Sequence, residues 1–203
     1  MKTLADYKQS FESATLSSQI EEFLFKNQIP TEMILPHLLA VASEARHLAS
    51  HFGVSQEVAY TAGLLHDISI VIPDDQRLFF HEELGKEILP EEKQLPMLLH
   101  QQQSAILAES CFLIEDEEIL SAIACHTTLK SHATPLDQVV FLADKIRWDR
   151  QETPPFLSEL QLALKESMSL GCLCYLDWLF GEDLQVPHPF AVAAREELKK
   201  KLD

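Results

Sequence analysis

Six side chains carry the chemistry this sequence offers. Four of its nine histidines lie on or beside apolar helical faces: His37 in Leu35-Pro36-His37-Leu38, His66 after Gly63-Leu64-Leu65, His100 after Leu98-Leu99, and His126 after Ile123-Ala124-Cys125. Two carboxylates share that setting: Asp67, directly after His66, and Asp144, which closes the run Val140-Phe141-Leu142-Ala143. An ionised carboxylate in apolar surroundings is costly unless a partner or a metal neutralises it. One buried histidine is ordinary, and one buried aspartate can bond a helix end. Six such residues on five helices are harder to explain separately, and imidazole with carboxylate suits Fe, Mn, Zn, Co or Ni. Neighbours on a regular helix point about 100° apart. His66 and Asp67 can therefore share an ion lying between them, and the second Asp67 oxygen can bridge to another. The remaining histidines, His47, His51, His81, His132 and His188, sit in polar stretches and are expected to be solvated or locally bonded.

The elements that must position these residues are helical. Apolar residues recur at three- and four-residue steps, only 5 glycines occur, and no alternating strand pattern is visible. A long stripe from Met33 to Ala49 predicts one helix over about 32–51. Ser55 is placed to cap the next, which runs to His66-Asp67. Leu89-Pro90-Glu91-Glu92 reads as a turn or loop. A helix is expected over about 101–112, and another, capped by Asp116, over about 117–126. Thr134-Pro135 opens the helix that carries Asp144. Pro154-Pro155 breaks the chain before two or three further helices, with Gly171 and Gly181 between them and Pro187-His188-Pro189 before the last. The fold class is all-α.

With 203 residues the chain fits one domain, large enough to bury a core without disulfides or metal. Against 32 acidic residues stand 16 basic ones, a net charge of −16. Such a surface repels a phosphate backbone, so neither nucleic acid nor an anionic membrane is an expected partner. A small phosphorylated substrate stays compatible with local cations or metal. Apolar runs fall far short of the ~20 residues that span a bilayer. The cysteines Cys111, Cys125, Cys172 and Cys174 form no CxxC pair and read as free, buried thiols. No apolar leader core is seen, so a cytoplasmic location is expected.

The order His37, His66-Asp67, His100, His126 and Asp144 resembles the HD-domain metal-dependent phosphohydrolases. The branch it resembles is the YqeK-type symmetrical bis(5'-nucleosyl)-tetraphosphatases. Ala62 to Asp67, His126-Thr127-Thr128, Leu142-Ala143-Asp144 with Arg150 soon after, and His188-Pro189 with Arg195 are similar to that family's motifs. The resemblance covers roughly residues 34–200. It implies a single HD-domain helical bundle over 1–203, with residues 1–30 as an N-terminal helical extension and 155–203 as C-terminal helices packed on the core. It implies two divalent metal ions, with iron expected and Mn, Co, Ni, Mg or Zn as alternatives. His37, His66, Asp67 and Asp144 would hold one, and Asp67, His100 and His126 the other. Asp67 and His66 would be catalytic, and Lys145, Arg150, Thr127 and Thr128 would bind substrate. The implied reaction is hydrolysis of diadenosine tetraphosphate to two ADP; another nucleotide or phosphoester, and a non-catalytic metal- or nucleotide-binding regulator, stay open beside it. A homodimer is compatible with the reading. Three positions depart from the family. Ile70 stands where a lysine is usual, and Gln101 and Leu129 stand where glycine is usual. The last two are expected to add bulk near the pocket, and Lys145 or Lys130 to supply the missing cation.

Overall fold

The computed structural model describes residues 1–148, 152–182 and 184–202, and among these no strand occurs. Helices α1 (Leu4–Tyr7) and α2 (Leu16–Lys26) precede the long α3 (Thr31–Phe52) and α4 (Gln56–Leu65). Two 3-10 turns, Ile68–Val71 and Asp74–Gln76, lead into α5 (Arg77–Glu83) and the short α6 (Pro90–Gln94). A 3-10 turn over Pro96–Leu99 runs into α7 (His100–Phe112), followed by α8 (Glu117–Ala124) and α9 (Pro135–Ile146). The chain ends with α10 (Leu157–Leu164), α11 (Met168–Gly181) and α12 (Pro189–Leu202). No helix among the described residues is long and apolar enough to cross a membrane.

The centre is built by α3, α4, α8 and α9. Leu38, Val41, Ala42, Ala45 and Ala49 form the fully buried stripe of α3. Gly53, at φ 73, ends that helix in the left-handed region that glycine enters at least cost. Gly63 of α4 lets the two backbones meet: a Cβ there would lie 2.7 Å from Ala42 Cα. Helix α9 starts with a capping box, in which Asp137 Oδ2 accepts from the Thr134 amide at 2.8 Å and Thr134 Oγ1 from the Asp137 amide at 3.1 Å. It is apolar nearly all round because it is covered on both sides, by α3 and α4 and by α11. Val139, Val140, Phe141 and Leu142 are fully buried, about 1.5–3 kcal/mol each before entropy is counted.

Four sequence expectations change. Residues 90–94 form a short helix rather than a loop, because Pro90 stands at its first turn and Glu92 Oε2 accepts the Leu89 amide at 2.8 Å. Helix α8 stops at Ala124, two residues early, where Cys125 leaves helical geometry at φ −130. Gly171 lies inside α11 and Gly181 ends it, so neither separates helices. His81 and His188 are buried, not solvated. His188 Nε2 faces Glu92 Oε1 at 3.3 Å, and its Nδ1 accepts the Phe190 amide at 3.2 Å. Glu92 Oε1 also accepts from Gln102 at 2.9 Å. This buried carboxylate thus joins α6, α7 and the segment entering α12.

Candidate metal centre

Three of the four histidines sit where a helix or turn is ending or changing. Each of these rings turns back onto the backbone carbonyl three residues earlier, whose second lone pair can take a further donor. His66 Nδ1 lies 2.7 Å from the Gly63 carbonyl, His100 Nδ1 2.6 Å from that of Met97, and His126 Nδ1 2.8 Å from that of Ile123. A carbonyl can only accept, so each Nδ1 carries a proton and each Nε2 is turned toward the others. His37, on α3, brings its ring centroid within 5.3 Å of that of His66.

Asp67 stands in the middle. Its Oδ2 is 3.5 Å from His66 Nε2, and its Oδ1 is 3.4 and 3.3 Å from the Nε2 atoms of His100 and His126. Asp144 Oδ1 is 3.8 Å from His37 Nε2 and 3.6 Å from His66 Nε2. His37, His66 and Asp67 form one group with metal-ligand spacing, and Asp67, His100 and His126 a second. The structure therefore brings all six expected ligands to one place, with Asp67 common to both groups.

The donor set fits metal. Nε2 of His66 is buried without a hydrogen bond. His100 and His126 face each other Nε2 to Nε2 at 3.1 Å, although both Nδ1 atoms already hold their protons on carbonyls. Two lone pairs and the Asp67 carboxylate aimed at one point ask for a cation. Donors that are each about 2.0–2.2 Å from one ion stand roughly 3–3.5 Å apart, close to the spacings here. A ligating histidine ordinarily donates its other ring N–H to a carbonyl or carboxylate in this way.

Protonation follows the same contacts. Burial alone would lower the His66 imidazole, but Asp67 and Asp144 outweigh it and lift it to about 9. Burial would raise Asp67, yet His66, His126 and His100 hold it well below the usual carboxylate range. Asp144 is likewise held low against burial, first by Lys145 and then by His66. His100 is lowered to about 4 by burial, against the pull of Asp67, with His126 and Arg77 adding to the fall.

An open cleft of about 390 Å³ lies over the cluster. Ile70 lines it and is 39% exposed. Thr127 lines it too, its Oγ1 2.9 Å from His100 Nε2. Lys145 reaches the wall, but its ammonium is 2.5 Å from Asp144 Oδ2 and 3.2 Å from the His126 carbonyl. Lys130 is directed elsewhere, to Ser121 Oγ at 2.5 Å and Asp137 at 3.3 Å. Thr128 does not reach the cleft; its Oγ1 donates to the Leu129 carbonyl at 2.8 Å. Arg150 lies outside the described residues. Gln101 and Leu129 add no bulk to the cleft, because both side chains are buried in the body of the protein. Gln101 Oε1 accepts the amides of Thr127 and Thr128, both at 3.2 Å, and so pins the turn after His126. Leu129 occupies the left-handed region, φ 59, which a glycine would enter at less cost.

The cation that sequence reasoning missed is Arg77. Although buried, it lines the cleft beside Ser69 and Ile70. Its Nε is 2.8 Å from Asp74 Oδ1 and its guanidinium donates to Gln103 Oε1 at 2.8 Å. The only local clue in the sequence is Asp74, three residues earlier.

A helical bundle in which an adjacent His-Asp pair joins two histidine clusters defines a hydrolase of the HD class. The HD domain family model matches residues 34–149, more than half of the sequence, and the chain belongs to that family. It is 44% identical over 149 residues to an uncharacterized protein in the pepC 5' region of Lactococcus lactis subsp. cremoris, covering 73% of this chain and 76% of that one. It is 30% identical over 122 residues to the symmetrical bis(5'-nucleosyl)-tetraphosphatase of Bacillus subtilis, covering 59% of this chain and 64% of that protein. The crystal structure of a predicted HD superfamily hydrolase involved in NAD metabolism from Clostridium acetobutylicum superposes with a TM-score of 0.80 at 26% identity, covering 93% of this chain and all of the other. The His/Asp groups are of the kind that hold divalent metal, and the family implies a small phosphorylated substrate.

Proposed function

We propose that this centre holds two divalent metal ions, iron first among them, and hydrolyses diadenosine tetraphosphate symmetrically to two ADP. The observation that carries the reading is Asp67, whose two oxygens face different histidine groups. His37, His66, Asp67 and Asp144 would hold one ion, and Asp67, His100 and His126 the other. Ions bound there would neutralise phosphate oxygens and make a nearby water more acidic. The chain's own residues do the remaining work. The carbonyls of Gly63, Met97 and Ile123 fix the rings. Lys145 balances one oxygen of Asp144 and keeps that carboxylate ionised. Arg77, held rigid by Gln103 and Asp74, offers a positive charge in the wall of the cleft where Ile70 offers none. Thr127 contributes a hydroxyl at the rim. The relative from Bacillus subtilis that bears the tetraphosphatase name supports the substrate. Ile70 in the cleft favours a second reading, cleavage of a different phosphorylated compound by the same centre.

The test is a panel of nucleotides incubated with the Mn²⁺- or Fe²⁺-loaded protein, with products separated by anion exchange. ADP as sole product from the dinucleotide, abolished by Asp67→Asn, is the expected result. AMP with ATP as products, or turnover that survives Asp67→Asn, overturns it.

A further inference from the structure

We infer that a second cavity beside the metal cleft is a nucleobase subsite, taking the neutral, flat heteroaromatic ring of a nucleotide whose phosphates lie over Asp67. The inference rests on the phosphohydrolase reading above and adds to it the group that the site recognises. The cavity measures about 350 Å³, within the roughly 300–1,000 Å³ range of small-ligand sites. Met97, Thr127 and Tyr175 line both spaces. Because Thr127 Oγ1 is 2.9 Å from His100 Nε2, the cavity begins one side chain away from an expected metal ligand.

Its walls differ in kind from the cleft. Leu95, Leu98, Leu179, Leu184 and Val186 face it, and among the described residues no Asp, Glu, Lys or Arg lines it, in a chain with 24% charged residues. A phosphate would find no counter-charge there. The polar groups of the interior are already engaged. His188 uses one nitrogen on Glu92 and the other on the Phe190 amide, and Thr128 donates to the Leu129 carbonyl. What remains is an apolar slot suited to a ring, with the exposed amides of Gln94 and Gln185 on its border to meet ring-edge donors and acceptors. Leu95 and Met97 stand 38% and 42% exposed at the mouth, apolar surface that a ring would cover. A strongly polar cleft beside an uncharged slot repeats the order of groups along a nucleotide, phosphate and then base, with Met97 and Thr127 at the place of the sugar.

The experiment compares ADP with inorganic pyrophosphate, measured by titration calorimetry on the Mn²⁺-loaded protein. Val186→Trp fills the slot; Leu184→Trp, on the same segment before α12, is the second variant should the first not fold. The wild type is expected to bind ADP at least tenfold more tightly than pyrophosphate. In the variant that preference should vanish while pyrophosphate affinity stays unchanged. Equal affinities in the wild type, an intact preference in the folded variant, loss of both ligands together, or no binding of either overturns the inference. Hydrolysis of the dinucleotide is assayed in parallel. An ADP preference without hydrolysis sinks the reaction and keeps the subsite, whereas hydrolysis without the preference sinks the subsite alone.

Discussion

Gly63→Ala perturbs the contact that brings together two of the helices that carry the candidate metal site. The new Cβ would lie 2.7 Å from Ala42 Cα, 3.0 Å from the Ala42 nitrogen and 3.3 Å from the Val41 carbonyl carbon. Carbon atoms pack best about 3.5–4.0 Å apart, so the shortest pair is too close by roughly an ångström. All three atoms are backbone, with no rotamer to change, and α3 and α4 must part. Overpacking of this kind costs about 1–3 kcal/mol. For a chain of this length each kcal/mol lowers Tm by about 2–4 °C, which gives a fall of about 2–12 °C. The parting also draws His37, on α3, away from His66 and Asp67 at the end of α4, while the group of Asp67, His100 and His126 does not depend on α3. Ligand geometry must hold to about 0.5 Å, so one metal-binding event should weaken by about tenfold or more and the other much less. Scanning calorimetry of the metal-free protein and titration with Mn²⁺ read the two effects. Two glycines serve as controls. At Gly171 the Cβ would meet side chains alone, Leu164 at 2.9 and 3.0 Å and Leu142 at 3.4 Å, and Gly171→Ala should cost less. At Gly53, φ 73 with nothing nearby, alanine should lose about 1 kcal/mol and leave metal binding intact. If Gly63→Ala melts and binds metal as the wild type does, the close approach of the helices is not what sets this site.

Arg77→Met removes the cleft cation while keeping most of its bulk. It should lower kcat/KM on a phosphorylated substrate by about tenfold or more, the effect of ~1.4 kcal/mol in the transition state, with unchanged metal content, and Ile70→Lys in the same chain should restore part of the loss. Undiminished kcat/KM in Arg77→Met refutes the role. Chelating bound metal should lower Tm, since ligand at 100 times its Kd adds about 2.7 kcal/mol to the folded state; equal melting with and without metal counts against the centre. His81 is held below its ordinary range, chiefly by burial, with Lys86 adding to the fall against the pull of Glu92. Its neutral form is the folded one, so its contribution to stability is complete above pH 6.5 and declines as pH drops below that value and the unfolded chain takes up the proton. The urea midpoint should fall between pH 7 and 5.5 and fall less in His81→Phe; parallel pH profiles would show that another group governs the decline.

Residues that act through neighbours in the sequence were legible, and residues that act through distant ones were not. The stripe of α3, the Asp116 and Thr134 caps and the apolar setting of the six metal-site residues all express a period or a cap a few positions long. His188 reads as polar because Glu92, the partner that makes its burial tolerable, is 96 positions away. Arg77 escapes notice because Gln103 lies 26 positions on. Gln101 is where sequence reasoning points the wrong way. Its size suggests a blocked pocket, whereas the chain turns it inward to hold the amides of Thr127 and Thr128. Helix ends were misplaced at Cys125 and around Pro90 because one residue's dihedral angle or one side-chain bond decides them.

The carbonyl tethers of His66, His100 and His126 have a consequence for how the centre is stored and filled. Each ring is oriented by its own backbone, before any ion arrives. His66, lifted to about 9 by the two carboxylates, is protonated at neutral pH when no metal is present. A proton then serves as a placeholder among the carboxylates. It offsets the repulsion between Asp67 and Asp144, and it would have to leave for a metal to enter. Filling the centre would then be an exchange of cations within a standing frame, and acid would compete with the metal for it.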